Sequence, residues 1–371
     1  DRGVGAVEAG PDDAAGAAPL LLRVAGADQP AAREALARAG IAHPEAAESF
    51  TFVRETAHDA TTLTLVAHDA TGLSYGLTEL ADIAACAPDP VAALAGVKTG
   101  SQSPANAVRS ITRLFTSEPE DKPWFYDKAF WDEYLTELVT QRFNRFTFSM
   151  GCGYDYLIDK IVLDNYLCFP YPFLLDVPGH AVSVEGLHPE ERDRNLEMLR
   201  YIGQQCARRG LSFRLGLWNH SYDYGPQNTH DKYRVCGIGP DNHAVYCRDA
   251  LAALLHAVPE IRGLTFRVHF EGGVPEPTHL FWKTVLSRIP EAEHLRDIDF
   301  HSKGVTDELL EILTGTGKTF NLSTKFWAEH MGLPYHQASI RKREFGKGRQ
   351  ATAAFQPASD ATGTGHHETG V

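Results

Sequence analysis

Glu271 is the residue of this sequence whose neighbours point most directly to acid–base chemistry. It closes the segment FRVHFE (266–271), and two glycines follow it at once. Glycines allow a sharp backbone turn and leave open space beside the carboxyl group. Three apolar side chains occur nearby, those of Phe266, Phe270 and Trp282. We expect them to raise the pKa of Glu271, so that it keeps its proton near neutral pH, as a general acid must. The alternative is a structural glutamate in an ordinary loop, paired with Arg267.

A second carboxyl group is expected in the segment STKFWAEHMGLPYHQA (323–338). Glycoside hydrolysis normally uses two carboxylic residues, one that donates a proton and one that acts as nucleophile or activates water. Glu329 is the candidate for the second role, and Lys325 is a candidate to bind an anionic sugar. His330 and Tyr335 lie in the same segment and are candidates for the lining of the pocket. The alternative is a plain helix in which Lys325 and Glu329 form an i,i+4 pair.

Aromatic and polar residues also cluster after another apolar segment, in LWNHSYDYG (217–225). Aromatic rings stack on the flat C–H faces of sugars, and asparagine and histidine bind sugar hydroxyl groups. We therefore expect Trp218, Asn219 and His220 to line a carbohydrate site, together with His269 from the first segment. The alternative is that about half of such aromatic residues only pack beneath long loops.

A metal site is the alternative that the histidines raise. Those near predicted strand ends are His220, His269, His301 and His330. No HxH or HxxxH pair at ligand spacing occurs, so we expect no metal. No GxGxxG follows a strand, and the sequence has neither a P-loop nor a GxSxG nucleophile turn. We therefore expect no cofactor.

Strand and helix patterns alternate from residue 109 onward. The predicted strands cover 109–115, 144–150, 211–218, 263–270, 295–301 and 318–324, with helical patterns between them. This order is typical of a parallel α/β architecture, and the absence of GxGxxG disfavours a dinucleotide-binding sheet. A (β/α)8 TIM-type barrel fits better, because the polar and aromatic residues follow strand C-terminal ends, which meet at one mouth of a barrel.

The pattern also predicts the domain organisation. Residues 1–100 are predicted to form a small α/β accessory domain with the order β-α-β-β-α, and residues 107–340 a barrel of about six βα units. Residues 345–371 are rich in Ser, Thr, Gly and Ala, which is typical of a disordered or aberrant tail. The barrel is thus expected to be incomplete at its C-terminal end. Its apolar edges would favour a homodimer.

Net charge and hydropathy exclude two classes of partner. The formal net charge of −13 argues against a nucleic-acid partner, which requires a basic face. No run is long and apolar enough to span a membrane, so no membrane partner is expected. The first residues do not have the pattern of a signal peptide, and a cytoplasmic or an exported location both stay open.

Two longer segments resemble a known group of enzymes. The segments are TTLTLVAHDATGLSYGLTELADI (61–83) and, within 109–148, RSITRLF followed by FYDKAFWDEYLTELVTQRFNRFTF. They resemble the accessory domain and the first barrel unit of glycoside hydrolase families 20 and 67, the β-hexosaminidases and α-glucuronidases. The resemblance implies a catalytic acid at the end of strand four, where Glu271 stands.

The resemblance also implies roles for residues of the first barrel unit. Arg113 or Arg109, with Asn144, takes the place of the arginine and asparagine found there. The Asp–Glu pair of the hexosaminidases is absent, because Phe270 precedes Glu271. A substrate-assisted mechanism is therefore not expected. Of the acids that α-glucuronidases carry on strands five and six, only Asp299 and Glu329 have near counterparts.

The sequence thus predicts a glycoside hydrolase that removes a terminal sugar, with a uronic acid as a candidate, from an oligo- or polysaccharide. Glu271 is expected to protonate the leaving oxygen, and Glu329 to act as base or nucleophile. The residues expected to line the pocket are Arg113, Trp218, Asn219, His220, His269, Lys325, His330 and Tyr335. Two alternatives remain, a noncatalytic carbohydrate-binding barrel and a metal-dependent hydrolase or isomerase.

Overall fold

The computed structural model describes residues 19–42, 44–57, 60–151, 165–223 and 232–323. The chain divides into two compact units. The first comprises Asp1–Arg109 and Leu138–Arg142, and the second comprises Ser110–Glu137 and Phe143–Val371. No helix in the described part of the chain is both long and apolar enough to cross a membrane.

The first unit contains a four-stranded sheet with the order β1-β3-β2-β4. Its elements are β1 (Leu20–Gly26), α1 (Pro30–Ala39), β2 (Phe50–Ala57), β3 (Ala60–Ala67), α2 (Ala70–Cys86), α3 (Pro90–Ala95) and β4 (Gly100–Gln102). Strand β1 runs parallel to β3, whereas β2 is antiparallel to both β3 and β4. Two apolar clusters form the core, one including Ala32 and Leu36 of α1 and the other including Tyr75 and Leu80 of α2.

Two glycines explain how closely α2 approaches this sheet. The helix begins after Asp69, whose side chain accepts a hydrogen bond from the Gly72 backbone nitrogen at 2.8 Å. A Cβ atom at Gly72 would overlap the Ser49 carbonyl oxygen, and one at Gly76 would overlap the Leu65 side chain. The GLSYGL pattern therefore has a packing reason in this unit.

The second unit contains a six-stranded parallel sheet. Its strands are β5 (Ser110–Phe115), β6 (Arg145–Met150), β8 (Ser212–Leu217), β10 (Ile261–Phe266), β11 (Asp297–His301) and β12 (Thr319–Ser323). The helices between them are α4 (Glu118–Phe125), α5 (Lys128–Thr140), α6 (Tyr171–Leu174), α7 (Pro189–Arg208), α8 (His243–Ala257), α9 (Thr278–Val285) and α10 (Asp307–Gly315), with 3-10 helices at Phe270–Gly272 and Leu286–Glu291. Strands β7 (Ser183–Glu185) and β9 (Arg234–Cys236) pair separately as an antiparallel ribbon.

The strand order confirms the predicted parallel α/β architecture. The strands lie side by side in the order of the chain, β5-β6-β8-β10-β11-β12, and every neighbouring pair is parallel. This is the arrangement of consecutive strands in a barrel. Within the described residues, however, β5 and β12 are edge strands and the sheet is open. The open sheet of six strands does not show a complete TIM-type barrel, and the predicted tail, residues 345–371, lies outside the described residues.

The two faces of the parallel sheet differ in composition. Successive side chains of a strand point to opposite faces. On one face, Phe148 stacks on Phe125 of α4 at 5.6 Å between ring centroids, and Phe266 lies 5.0 Å from Trp282 of α9. The opposite face is polar. Its side chains include Arg214, which binds Asp297, and Asp299, which accepts a hydrogen bond from Ser323 at 3.2 Å.

Candidate active site

Three neighbouring strands deliver charged and aromatic side chains to one edge of the parallel sheet. Strand β8 is followed by Trp218, β10 by the segment 267–271, and β11 by Lys303. Because these strands are parallel and adjacent, their C-terminal ends lie together. In α/β proteins this edge is where ligands bind.

Glu271 lies between two cations at this edge. Arg267 donates from Nη2 to Glu271 Oε2 at 2.7 Å. The Lys303 ammonium donates to both carboxylate oxygens, at 2.8 and 2.9 Å. The exposed side-chain fraction rises from 5% for Arg267 through 11% for Glu271 to 45% for Lys303. The three residues thus form a charged stack, called here the 267–271–303 stack, that leads from the interior to solvent.

The electrostatics of the stack contradict the predicted environment of Glu271. Burial by itself raises the pKa of the carboxyl group, but Lys303 and Arg267 outweigh it and hold the pKa of Glu271 below its usual value. Glu271 is therefore ionised at neutral pH. The expected apolar walls are absent because Phe266 and Trp282 pack together on the opposite, helix-facing side, and Phe270 is exposed. The pairing with Arg267 that the sequence allowed is present.

Histidine and tryptophan rings extend from this stack along the strand ends. His269 Nδ1 accepts a hydrogen bond from the Glu271 backbone nitrogen at 3.3 Å, and its Nε2 lies 3.7 Å from Glu271 Oε2. Burial and the nearby Arg267 lower the pKa of His269 to about 4, so the ring is neutral at pH 7. The ring of His301 lies 6.4 Å from that of His269 and 5.9 Å from that of Trp218. These rings join the ends of β8, β10 and β11.

Glycines hold the strand-end loops against one another. Gly273 has φ of +74°, and a Cβ atom there would overlap the Ser221 backbone. Gly304 has φ of +82°, and its Cβ atom would lie 2.8 Å from the Cβ atom of His269. The loop after β10 is further bound to the loop after β8, because the His220 backbone nitrogen donates to the Gly272 carbonyl oxygen at 2.7 Å. Backbone contacts therefore fix the frame in which Glu271 is held.

The structure does not bring Asn219 and His220 to the stack. Asn219 is fully buried, and its Oδ1 accepts from the Ser221 nitrogen at 2.7 Å. His220 is fully buried on the helix-facing side, 3.3 Å from the Tyr171 hydroxyl group and packed against Trp282. Burial lowers the pKa of His220 to about 3. Both residues position the loop that carries them.

Arg113 also lies away from the stack. Its guanidinium group is 4.0 Å from the ring of Trp124 and 4.7 Å from that of Phe130, between β5 and the helices that cover it. Arg109 belongs to the first unit, where it binds Glu48 and donates to the Tyr75 hydroxyl group at 3.1 Å. Neither arginine is brought together with Glu271.

The remaining predicted residues divide between the polar sheet face and undescribed segments. Asp299 lies on the polar face, and burial raises its pKa although Arg214, Ser323 and Thr265 oppose this. Asn144 accepts a hydrogen bond through its backbone oxygen from the Ser212 nitrogen at 2.9 Å, in the sheet. Four predicted site residues lie outside the described residues: Lys325, Glu329, His330 and Tyr335.

Sequence reasoning missed Lys303 and treated His301 only as a metal candidate. The signal was present, because the segment DFHSKG ends a predicted strand just as HFEGG does. His301 is in register with the polar side chains of β11, and Lys303 follows two residues later. In the described part of the chain, no group of three or more His, Cys, Asp or Glu side chains could hold a metal ion.

No protein-family model and no curated protein matches this sequence. Among solved structures, the chain is similar to a GH138 enzyme targeting pectin rhamnogalacturonan II, with 18% identity and a TM-score of 0.53. That match covers 82% of this chain and 48% of the other, so the chain spans about half its length.

A second similar structure is the N-acetyl-β-hexosaminidase of Streptomyces plicatus in complex with Thio-NAglucal, with 14% identity, a TM-score of 0.43 and coverage of 85% and 60%. A third is the GH20 β-N-acetylhexosaminidase of Streptomyces coelicolor A3(2), with 14% identity, a TM-score of 0.41 and coverage of 82% and 70%. At 18% identity, the likeness to the GH138 enzyme shows a shared fold alone. The likeness to the GH138 enzyme supports the predicted glycoside hydrolase fold, and it does not assign the chain to family 20 or 67.

Proposed function

We propose that this chain carries the catalytic unit of a glycoside hydrolase that removes a terminal sugar, with Glu271 as a catalytic carboxylate. We also propose that its six-stranded sheet is part of a (β/α)8 barrel. The observation that carries the proposal is the 267–271–303 stack at the C-terminal edge of three adjacent parallel strands. The fold shared with an enzyme that targets a pectin polysaccharide supports the same class of reaction.

The charge state of Glu271 favours a role other than proton donation. An ionised carboxylate can attack the anomeric carbon or activate a water molecule, and its charge stabilises the oxocarbenium-like transition state. The Arg267 and Lys303 cations keep Glu271 in that form. The proton donor is then a second carboxyl group, and we propose Glu329 for it, in exchange for the role of base or nucleophile that the sequence analysis gave to Glu329. His269, held neutral beside Glu271, is placed to bind a sugar hydroxyl group.

Lys303 supports a uronic acid as the sugar that is removed. Its side chain is about half exposed, in a chain whose formal net charge is −13. A cation held at this edge attracts an anionic sugar more strongly than a neutral one. The carboxylate of a uronic acid would share the Lys303 ammonium group with Glu271. We therefore propose Lys303 for the anion-binding role, for which Lys325, outside the described residues, stays a candidate as well.

Aryl glycosides test both parts of this proposal on the full chain. Glu271→Gln should lower kcat by about 1,000-fold on any accepted substrate, because the amide cannot act as nucleophile or base. Lys303→Met should raise KM for aryl uronides by about tenfold, the loss of one charged hydrogen bond, and leave KM for neutral glycosides nearly unchanged, because a neutral sugar makes no ion pair with the ammonium group. Lys283→Met, an exposed lysine of α9, is the control for the change of charge.

The double pairing of Glu271 also favours a second candidate, a noncatalytic carbohydrate-binding unit. A carboxylate that is bonded to two cations can simply position Lys303. Sugar binding without turnover by the wild-type chain, together with unchanged binding by Glu271→Gln, would establish that function and end the catalytic proposal.

A further inference from the structure

A cleft lies on helices α4 and α7 of the parallel-sheet unit, and none of its lining residues belongs to the 267–271–303 stack. It has a volume of about 740 Å³ and is shallow and widely open to solvent. Its lining includes three cations, Lys122, Arg194 and Lys232, and the apolar surfaces of Pro119, Pro123 and Tyr126. Cations beside flat apolar surfaces suit an anionic sugar, because its C–H faces stack while its carboxylate binds.

Arg194 is held ready to bind an anion in this cleft. Its guanidinium group lies 3.9 Å from the centre of the Tyr126 ring. The Tyr126 hydroxyl group donates to Asn195 Oδ1 at 2.6 Å, and Asn195 is fully buried, so the ring is fixed from beneath. Stacking fixes the guanidinium plane and leaves its N–H edge free to bind a carboxylate through two hydrogen bonds. Across the described ranges, Arg194 has no ion pair or hydrogen bond of its own.

The carboxylates of the cleft are occupied by other donors. Glu118 accepts hydrogen bonds from the ammonium groups of Lys122 at 2.6 Å and of Lys232 at 2.7 Å. Asp127 accepts from the Ala129 backbone nitrogen at 2.9 Å, at the start of α5. Neither acid therefore competes for Arg194. Lys232 is mostly exposed and faces the same cleft, but its ammonium group is bonded to both Glu118 oxygens, so it could only be shared with a bound anion.

The cleft lies at the same end of the sheet as Glu271. Helix α4 directly follows the C-terminal end of β5. Arg194 lies in the N-terminal half of α7, and the C-terminal end of α7 leads to the start of β8. In parallel α/β units, helices run opposite to the strands, so their N-terminal halves lie at the C-terminal ends of the strands. A long saccharide that enters the site at Glu271 can therefore extend over this end of the unit.

We propose that this cleft is a separate binding site for a carboxylate-bearing sugar unit of an acidic polysaccharide, with Arg194 as its main anchor. The choice of an acidic saccharide rests on the proposed function of the Glu271 site. The ability of Arg194 and Lys232 to bind an anion does not depend on that proposed function. The site would hold the polymer without contributing to bond cleavage.

Affinity electrophoresis of the full chain tests this site without relying on turnover. Native gels that contain polygalacturonate, dextran sulfate or hydroxyethylcellulose are compared for the wild type, Arg194→Met and Arg208→Met. Arg208 is an exposed arginine at the other end of the same helix, so its variant has the same change of charge. Lys232→Met is a second variant at the cleft, and melting curves check that each variant is folded.

The expected result is retardation of the wild type by polygalacturonate, about tenfold weaker binding by Arg194→Met, a smaller loss for Lys232→Met and no loss for Arg208→Met. Hydrolysis of small aryl glycosides should be the same in all four proteins. Equal retardation of Arg194→Met and Arg208→Met would overturn the proposal. So would retardation by dextran sulfate that is as strong as that by polygalacturonate. If retardation depends on Arg194 while the wild type hydrolyses nothing, the cleft stands and the catalytic proposal fails.

Discussion

The two faces of the parallel sheet use the same kinds of residue for opposite purposes. On the helix-facing side, Arg113 is stacked on aromatic rings and His220 is sealed among them. On the polar side, Arg267 and His269 lie against the Glu271 carboxylate, which is part of the stack that reaches solvent through Lys303. His220 and His269 each lie three residues after the end of their strand, whereas Arg113 lies within β5 and Arg267 directly follows β10. Which face a side chain points to decides whether it is structural or available for chemistry.

The largest expected effect concerns Arg267, at the buried end of the 267–271–303 stack. Arg267→Met should lower the free energy of unfolding by about 3 kcal/mol or more, because it leaves part of the Glu271 charge uncompensated in a buried position. Urea unfolding at pH 7 measures the change. A loss under about 1 kcal/mol would show that Lys303 alone compensates the carboxylate, and the stack would then be less tightly coupled than the distances indicate.

The next effect concerns the frame that holds the polar side. Gly273→Ala should destabilise the protein by about 2 kcal/mol and reduce turnover, since the added methyl group overlaps the Ser221 backbone and φ is positive. Gly317→Ala is the matched control, because its φ is +68° but nothing lies within 4 Å of the added atom. The difference between the two variants isolates the overlap from backbone strain. Equal losses would contradict the docking of the two loops.

The helix-facing side predicts a dependence of stability on pH. Burial lowers the pKa of His220 to about 3 and that of His243 to about 4, from 6.5 in the unfolded chain. Protonation therefore favours the unfolded state, and stability is lost as pH falls below about 6.5 towards 3. The pKa of Glu271 is lowered from 4.5, so its contribution is lost only at lower pH. The loss between pH 6.5 and 5 is therefore assigned to histidines.

Replacement of His220 measures its share of this dependence. His220→Leu should be less stable at pH 7, but its stability should fall less steeply from pH 6.5 to 5, by about 1 kcal/mol per pH unit. Denaturant midpoints at several pH values give the slope. His256→Gln, at an exposed position of α8, should retain the wild-type slope. Equal slopes for His220→Leu and the wild type would place the titrating groups elsewhere.

The smallest expected effect is that of replacing Arg113, the arginine on the helix-facing side, in contrast to Arg267 on the polar side. Arg113→Met should cost about 1 kcal/mol of stability, the value of a cation–π contact, and leave kcat and KM unchanged. Urea unfolding and aryl glycoside kinetics on the same preparation give both numbers. A change in KM that, expressed as a free energy, exceeds the change in the free energy of unfolding would support Arg113 as a substrate-binding residue.

The sequence predicted the architecture better than the surroundings of the site. Strand–helix alternation with polar strand ends was enough for the parallel α/β sheet, because that pattern follows from burial on local elements. The glycoside hydrolase fold was likewise predicted, from the segments around residues 61–83 and 109–148, and the likeness to the GH138 enzyme supports it. The position of Glu271 after the fourth strand of the sheet also followed from strand counting.

The pKa of Glu271 could not be predicted in the same way. It depends on Lys303, which lies 32 positions further along the chain and meets Glu271 only because β10 and β11 are neighbours. For Arg113, the face could have been read from the sequence. Its neighbours Ile111 and Phe115 share its parity, and that parity belongs to the apolar, helix-covered side.

The mutual support of the loops has a consequence for how this site can change. Gly273 and Gly304 bring main chain against its neighbours, so the scaffold around Glu271 does not depend on the identity of the half-exposed side chain at position 303. Exchange of Lys303 for a neutral residue would leave these backbone contacts in place and Arg267 still paired with Glu271, whereas an acidic residue there would face the Glu271 carboxylate and cost stability. Under the proposed function, the accepted sugar could therefore change through neutral substitutions at position 303 while the backbone stays constant.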